Sequence, residues 1–177
     1  MAELRASTSI IQTQANPFKV ALPLIALVAI VTLAGALRYA NLEALGDGNV
    51  YYTAAVKAML QSPANFFFVA AEPGGGVSID KPPFGLWVQA SSAAILGVNG
   101  LAVTLPSILA GMASAAVLYH LVSQRFGALA GLIAAFVLAT TPVSIAVDGT
   151  NNLDSVLIFV LLLAAWAFIR DVETRRL

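Results

Sequence analysis

The chain has 177 residues, 59% of them hydrophobic and only 10% charged, with mean hydropathy +0.88 and no formal net charge at pH 7. A soluble domain carries about 25% charged residues, so this composition excludes an ordinary water-soluble globule and places the chain in a bilayer. Neutrality argues against nucleic acid as a partner, the lack of cysteine excludes disulfides and thiolate chemistry, and a single histidine, His120, excludes a His-rich metal site.

The chain opens with a polar tail, "MAELRASTSIIQTQANP". The apolar run over 20–37 exceeds the about 7–15 residues of a signal-peptide core and reads as an uncleaved first span. Further on, "GNVYYTAAVKAMLQS" has Val50, Ala54, Lys57 and Leu60 at helical spacing, and Pro63 and "EPGGGVS" end it in a flexible connection. The "FFF" at 66–68 reads as lipid contact or packing. In "VSIDKPPFGLWVQASSAAILG" the apolar part, 84–96, is short for a span and contains Gln89, Ser91 and Ser92. It is expected to lie at the membrane interface as a helix started by Pro82 and Pro83. Further spans are expected at 101–122, 126–147 and 153–169.

With four crossings, counting 18–37 as the first, the N-terminus, the 123–125 turn and the tail "RDVETRRL" share one side. That side holds Arg5, Lys19, Arg125, Arg170, Arg175 and Arg176, against Arg38, Lys57 and Lys81 on the other. The positive-inside rule then makes 1–17 and 171–177 cytoplasmic tails around a membrane module at 18–170, with an outer loop at 38–100. A fifth crossing at 84–96 also satisfies the rule once the N-terminus is placed outside, so length and polarity decide for four.

Under this topology Glu43, Asp47, Glu72, Asp80, Asp148 and Asp154 are extracytoplasmic, and Glu3, Asp171 and Glu173 cytoplasmic. Asp154 directly precedes an apolar run, at a depth where a carboxylate is costly unless paired or hydrated. It reads either as a functional group or as a helix cap. Asp148, before a glycine, reads as a stabiliser of the turn "DGTNN". Asp80 with Lys81 reads either as a site pair or as a surface ion pair of small weight. Tyr51 and Tyr52 suit a cleft lining or an interfacial belt, and His120 beside Tyr119 suits an interface anchor. The residues alone thus predict an all-α polytopic membrane protein with an acid-rich outer surface. An enzyme of lipid-borne substrates, an ion pathway and a non-catalytic subunit all fit, although the span interiors lack the ionisable residues a transporter favours.

Taken in order, "YYTAAVKAML", "DKPPFGLWVQASSAAILG", "LPSILAGMASAAVLYHLVSQRFG" and "TPVSIAVDGTNNLDSVLIFVLLLAAWAF" resemble the N-terminal portion of a bacterial family 39 glycosyltransferase. This GT-C-fold group includes protein O-mannosyltransferases and lipid A aminoarabinose transferases, and the likeness, over 38–170, is greatest to mannosyltransferases of Gram-positive bacteria. It implies GT-C-like membrane helices in the bacterial plasma membrane. It also implies inverting transfer of a sugar, a hexose such as mannose, from a polyprenyl-phosphate carrier to an extracytoplasmic acceptor: lipid, glycan or protein. No nucleotide or organic cofactor is expected, and a divalent metal ion is left open. Matched to the family's motifs, Lys81 would pair with the carrier phosphate, and Asp80 would orient it or hold the acceptor. Asp154 would position the base, the acceptor or a metal, and Asn152, Tyr51 and Tyr52 would contact substrate. Many relatives carry an Asp-Glu pair where this chain has Gly48 and Asn49, so the base is either Asp47, one residue early, or another group. Relatives also carry more spans, so the chain is expected to be a fragment that binds donor poorly and turns over little. A pseudoenzyme scaffold or a transporter fragment is the rival reading.

Overall fold

The computed structural model describes residues 17–40, 42 and 46–175. The polar tail to residue 16, Glu43 and Arg176, each of which carries an expectation above, lie outside the described residues. Runs of Leu, Val, Ala and Ile in a bilayer must satisfy every backbone group internally, and the helix does this within one segment. The described residues form eight helices and no strand. They are α1 Pro17–Tyr39, α2 Val50–Met59, α3 Pro63–Phe67, α4 Pro83–Leu96, α5 Gly100–Phe126, α6 Ala128–Thr140, α7 Pro142–Asp148 and α8 Asp154–Thr174. Three of these, α1, α5 and α8, are long and apolar enough to cross a membrane, and α6 with α7 makes a fourth such unit, bent by 60°. The chain is an all-α polytopic membrane protein.

The helix α5 is the hub, in contact with α1, α4, α6, α7 and α8. Its hydrophobic stretch is 56% buried, against 11% for those of α1 and α8, whose large apolar side chains face outward. Composition explains the difference. Ala110, Gly111, Ser114 and Ala115 are buried on α5, and small residues let helices approach where lipid tails leave little hydrophobic drive between them. At the α5–α6 turn, a Cβ on Gly131 would stand 2.8 Å from Ser123 Cβ and from Tyr119 O, so only glycine permits that closeness. The bend between α6 and α7 falls at Thr141–Pro142, where proline lacks the N–H that a continuous helix needs.

Residues 46–99 pack into a cap against the end of this bundle. Ala55, Val56 and Met59 of α2, Leu86 and Ala90 of α4, and Val103 of α5 form one buried cluster with Leu153. Trp87 Nε1 donates to Phe66 O at 2.9 Å, and its ring stacks on Phe67, which pins α3 to α4. The "EPGGGVS" stretch, expected as a flexible connection, is the tip of a tight turn: Ala71 N–H donates to Val77 O at 2.8 Å and Ile79 N–H to Val69 O at 2.9 Å. Those backbone bonds deliver Asp80 and Lys81 to the start of α4.

Two expectations need correction. Asp148, expected to stabilise a turn, is 5% exposed, and its Oδ2 accepts from Arg38 Nε at 2.8 Å. Arg38, counted with the charges of a loop, belongs to the last turn of α1 and is 1% exposed. Its Nη1 also donates to Ala34 O and Ala139 O, both at 3.1 Å, so one guanidinium joins α1, α6 and α7. Room for the pair comes from Gly111, where any Cβ would meet Asp148 and lie 2.7 Å from Arg38 Nε. Burial of both partners, set by tertiary packing, turned two loop residues into an internal strut.

Candidate active site

Asp154 is the first residue of α8, and the segment before it determines where its carboxylate stands. Asn151, fully buried, is the clamp. Its Oδ1 accepts from Asn49 N–H at 2.6 Å, while its Nδ2 donates to Thr53 Oγ1 at 3.0 Å. Thr53 Oγ1 in turn donates a hydrogen bond to Asp47 O at 2.7 Å. From α4, the buried Gln89 donates to the Asn151 carbonyl at 2.8 Å; from α5, Ser107 donates to the Asn152 carbonyl at 2.9 Å. Three elements thus hold "NNL" rigid through groups that would be costly to leave unpaired. Asn152 Oδ1 in turn accepts from Asp154 N–H at 3.2 Å, a local turn at the helix start.

This framework opens a cleft of about 270 Å³ between the beginning of α4, α2 and α8. Tyr52, Lys81 and Asp154 supply its polar groups, and Phe84, Leu157 and Val160 are among its apolar walls. Among the described residues the Asp154 carboxylate and the Lys81 ammonium have no ion-pair partner. Gly85 lets α4 approach the residue before α8 closely, since a Cβ there would lie 3.0 Å from Leu153 Cδ2.

The residues singled out from the sequence divide accordingly. Tyr52, Lys81 and Asp154 come together, although Lys81 and Asp154 are far apart in the chain. Asp80 is exposed beside Lys81, forms no ion pair with it, and does not line the cleft. Tyr51 is exposed and tilts its ring against Tyr52, 5.4 Å between centroids. Asp47 is exposed, with Oδ2 4.0 Å from Lys57 Nζ, and stands apart from the cleft lining. Asn152 uses its amide oxygen on the backbone of Asp154. Gly48 has φ +66° and a Cβ there would lie 2.6 Å from Asn151 Oδ1, so this chain has no room for a carboxylate at that position. Sequence reasoning passed over Asn151 and used Gln89 only as a mark of its stretch's polarity. A polar residue inside an otherwise apolar helix was a signal for Gln89; for Asn151 the local sequence holds none, because its partners lie on α2 and α4. No cluster of three His, Asp or Glu side chains suited to a metal ion occurs among the described residues.

The class is therefore a multi-pass helical membrane protein whose cleft, at the foot of a span, carries one carboxylate and one ammonium. Residues 80–177 match the family described as dolichyl-phosphate-mannose-protein mannosyltransferase, and the chain belongs to that family. Over 152 residues, 86% of this chain, it is 43% identical to a Bacillus subtilis (strain 168) protein named "Putative mannosyltransferase YycA". Over 129 residues, 73% of this chain, it is 44% identical to "Putative mannosyltransferase YkcB" of the same organism. The chain spans only 22% and 18% of the lengths of these two relatives. No solved structure matches it.

Proposed function

We propose that the chain is the N-terminal part of an inverting membrane glycosyltransferase. It moves a hexose, mannose in the first instance, from a polyprenyl-phosphate carrier to an acceptor hydroxyl on the outer face of the bacterial plasma membrane, with its N-terminus in the cytoplasm. The observation that carries this reading is the polarity of the cleft: Lys81 and Asp154 stand beside an apolar trough of Phe84, Leu157 and Val160. A lipid phosphate has the same polarity, an anionic head on an isoprenoid tail.

In this reading Asp154 takes the acceptor's proton as the acceptor oxygen attacks the anomeric carbon, while the bond from that carbon to the phosphate oxygen breaks with its electron pair. Lys81 steadies the charge that collects on the departing phosphate. Attack from the side opposite the leaving group inverts the carbon. Tyr52 packs against the bound substrate, and Asp80, Tyr51 and Asn152 serve from the rim. Asp47 is the weaker choice for the base, since it faces Lys57 rather than the cleft.

Turnover of the full-length protein with polyprenyl-phosphate hexose tests this. A positioned general base is worth about 10²–10⁴-fold, so Asp154→Asn should lower kcat by roughly that factor. Lys81→Met should weaken the donor in both KM and kcat. Retained turnover in Asp154→Asn removes the assignment of the base. A non-catalytic scaffold is the second reading, favoured by the missing carboxylate at Gly48; full-length protein that binds donor without transferring its sugar selects it.

A further inference from the structure

Toward the other end of the bundle from the cleft, an open groove of about 310 Å³ runs between α5 and α8. From Asp154 to Arg170, α8 rises about 24 Å at 1.5 Å per residue, so groove and cleft are separate places. Ala116 and Val117 of α5 and Leu163 of α8 make the groove apolar, and His120 and Trp166 complete its lining. The Arg170 guanidinium lies over the Trp166 ring, 5.8 Å from its centroid. Two neighbouring arginines are matched by acids, Arg125 by Glu173 and Arg175 by Asp171. Arg170 is exposed and has no carboxylate partner among the described residues.

Polarity narrows the occupant. An apolar trough beside an unmatched cation suits a molecule with a hydrocarbon tail and an anionic head. A tryptophan near the end of a span sits at the depth of the lipid headgroups. There an arginine runs its stem along apolar surface and offers phosphate two parallel donors. A zwitterionic lipid brings its own cation, and the acids at this end of α8, Asp171 and Glu173, are already paired. An anionic lipid needs no such acid. A further apolar helix laid in the groove covers its walls but leaves Arg170 without an anion.

We propose that this groove holds one chain of an anionic phospholipid, with Arg170 on its phosphate and Trp166 and His120 beside its glycerol backbone. The lipid lies along α8, whose hydrophobic stretch is only 11% buried, and bridges it to α5. The proposal rests on the membrane-spanning fold alone and stands whether or not the chain transfers sugar.

The test is photocrosslinking of delipidated full-length protein in detergent. The probes are phosphatidylglycerol and phosphatidylcholine with the same chains, one chain carrying a diazirine. Adduct yield on the peptides that hold 116–120 and 163–166, followed against lipid concentration, gives the affinity of this groove. Phosphatidylglycerol is expected to label both peptides at a Kd at least fivefold below that of phosphatidylcholine. Glycerol phosphate, a head without a tail, should not compete at equal concentration. Arg170→Gln, at an exposed position, should weaken phosphatidylglycerol about fivefold, the effect of one basic side chain at an anionic surface. Arg175→Gln removes the same charge from a paired residue and should change the Kd less than twofold. Ala116→Leu, which fills the trough, should abolish the adducts. Equal labelling by the two lipids, or equal losses in Arg170→Gln and Arg175→Gln, overturns the proposal. So do adducts confined to other peptides, which would show the groove covered by another part of the full-length chain, and displacement by polyprenyl phosphate at a lower concentration than by unlabelled phosphatidylglycerol.

Discussion

At the residue scale, the bundle contains a buried ion pair that no local pattern announced. The Arg38–Asp148 pair is buried at 2.8 Å and adds two backbone carbonyls to the arginine's partners. Removing one member of such a pair strands the other charge away from water and costs about 3–5 kcal/mol, whereas replacing both with apolar residues is often close to neutral. Asp148→Ala should therefore lower the yield and Tm of detergent-purified protein sharply. The double variant Arg38→Met, Asp148→Leu should recover most of the loss. A single variant as stable as the double removes the pair's role as a strut. Gly111 belongs to the same unit, since its hydrogen side chain is what lets α5 lie against the pair.

At the element scale, the short helix α4 does two jobs that its sequence shows unequally. Its length and its two leading prolines were legible as a helix too short to span, and it is 14 residues long. Its function as one wall of the cleft was not, because that depends on Gly85 meeting Leu153 and on Gln89 reaching Asn151 from another part of the chain. The network of Asn151, Gln89, Thr53 and Ser107 sets where α8 begins. Asn151→Ala removes three side-chain hydrogen bonds; at about 0.5–1.5 kcal/mol each, it should destabilise the cap by a few kcal/mol and lower turnover without touching substrate. A positioning role predicts that kcat falls more than donor KM rises, and an unchanged kcat would show that the clamp is dispensable for catalysis.

At the scale of the whole molecule, the reading requires that the cap and the α5–α6 turn lie on opposite faces of the bilayer. The 27 residues of α5 reach about 40 Å at 1.5 Å per residue, enough to cross a hydrocarbon core of about 30 Å. Glu72 and Gln124, both exposed, report on the two ends, and the chain has no cysteine to confuse the signal. Glu72→Cys should react with an impermeant maleimide on intact cells, and Gln124→Cys only after permeabilisation. Reaction of both from the same side would remove the extracytoplasmic cleft and the sugar transfer proposed for it.

Composition by itself determined the solvent: few charges and long apolar runs belong in a bilayer, where a helix satisfies such a run's backbone within one segment. Spacing and length were enough for the helical class and for the brevity of α4, because these depend on residues close in the chain. Order of motifs was enough for the family. What only the tertiary structure decided was which polar residues meet. Lys81 and Asp154 share a cleft while Asp47 and Asp80 stand aside, Arg38 leaves the loop charges to join Asp148, and Asn151 rather than Asn152 is the buried anchor. Each of these turns on distances between helices, which depend on where glycine, alanine and serine allow close approach, and no window along the chain contains both partners.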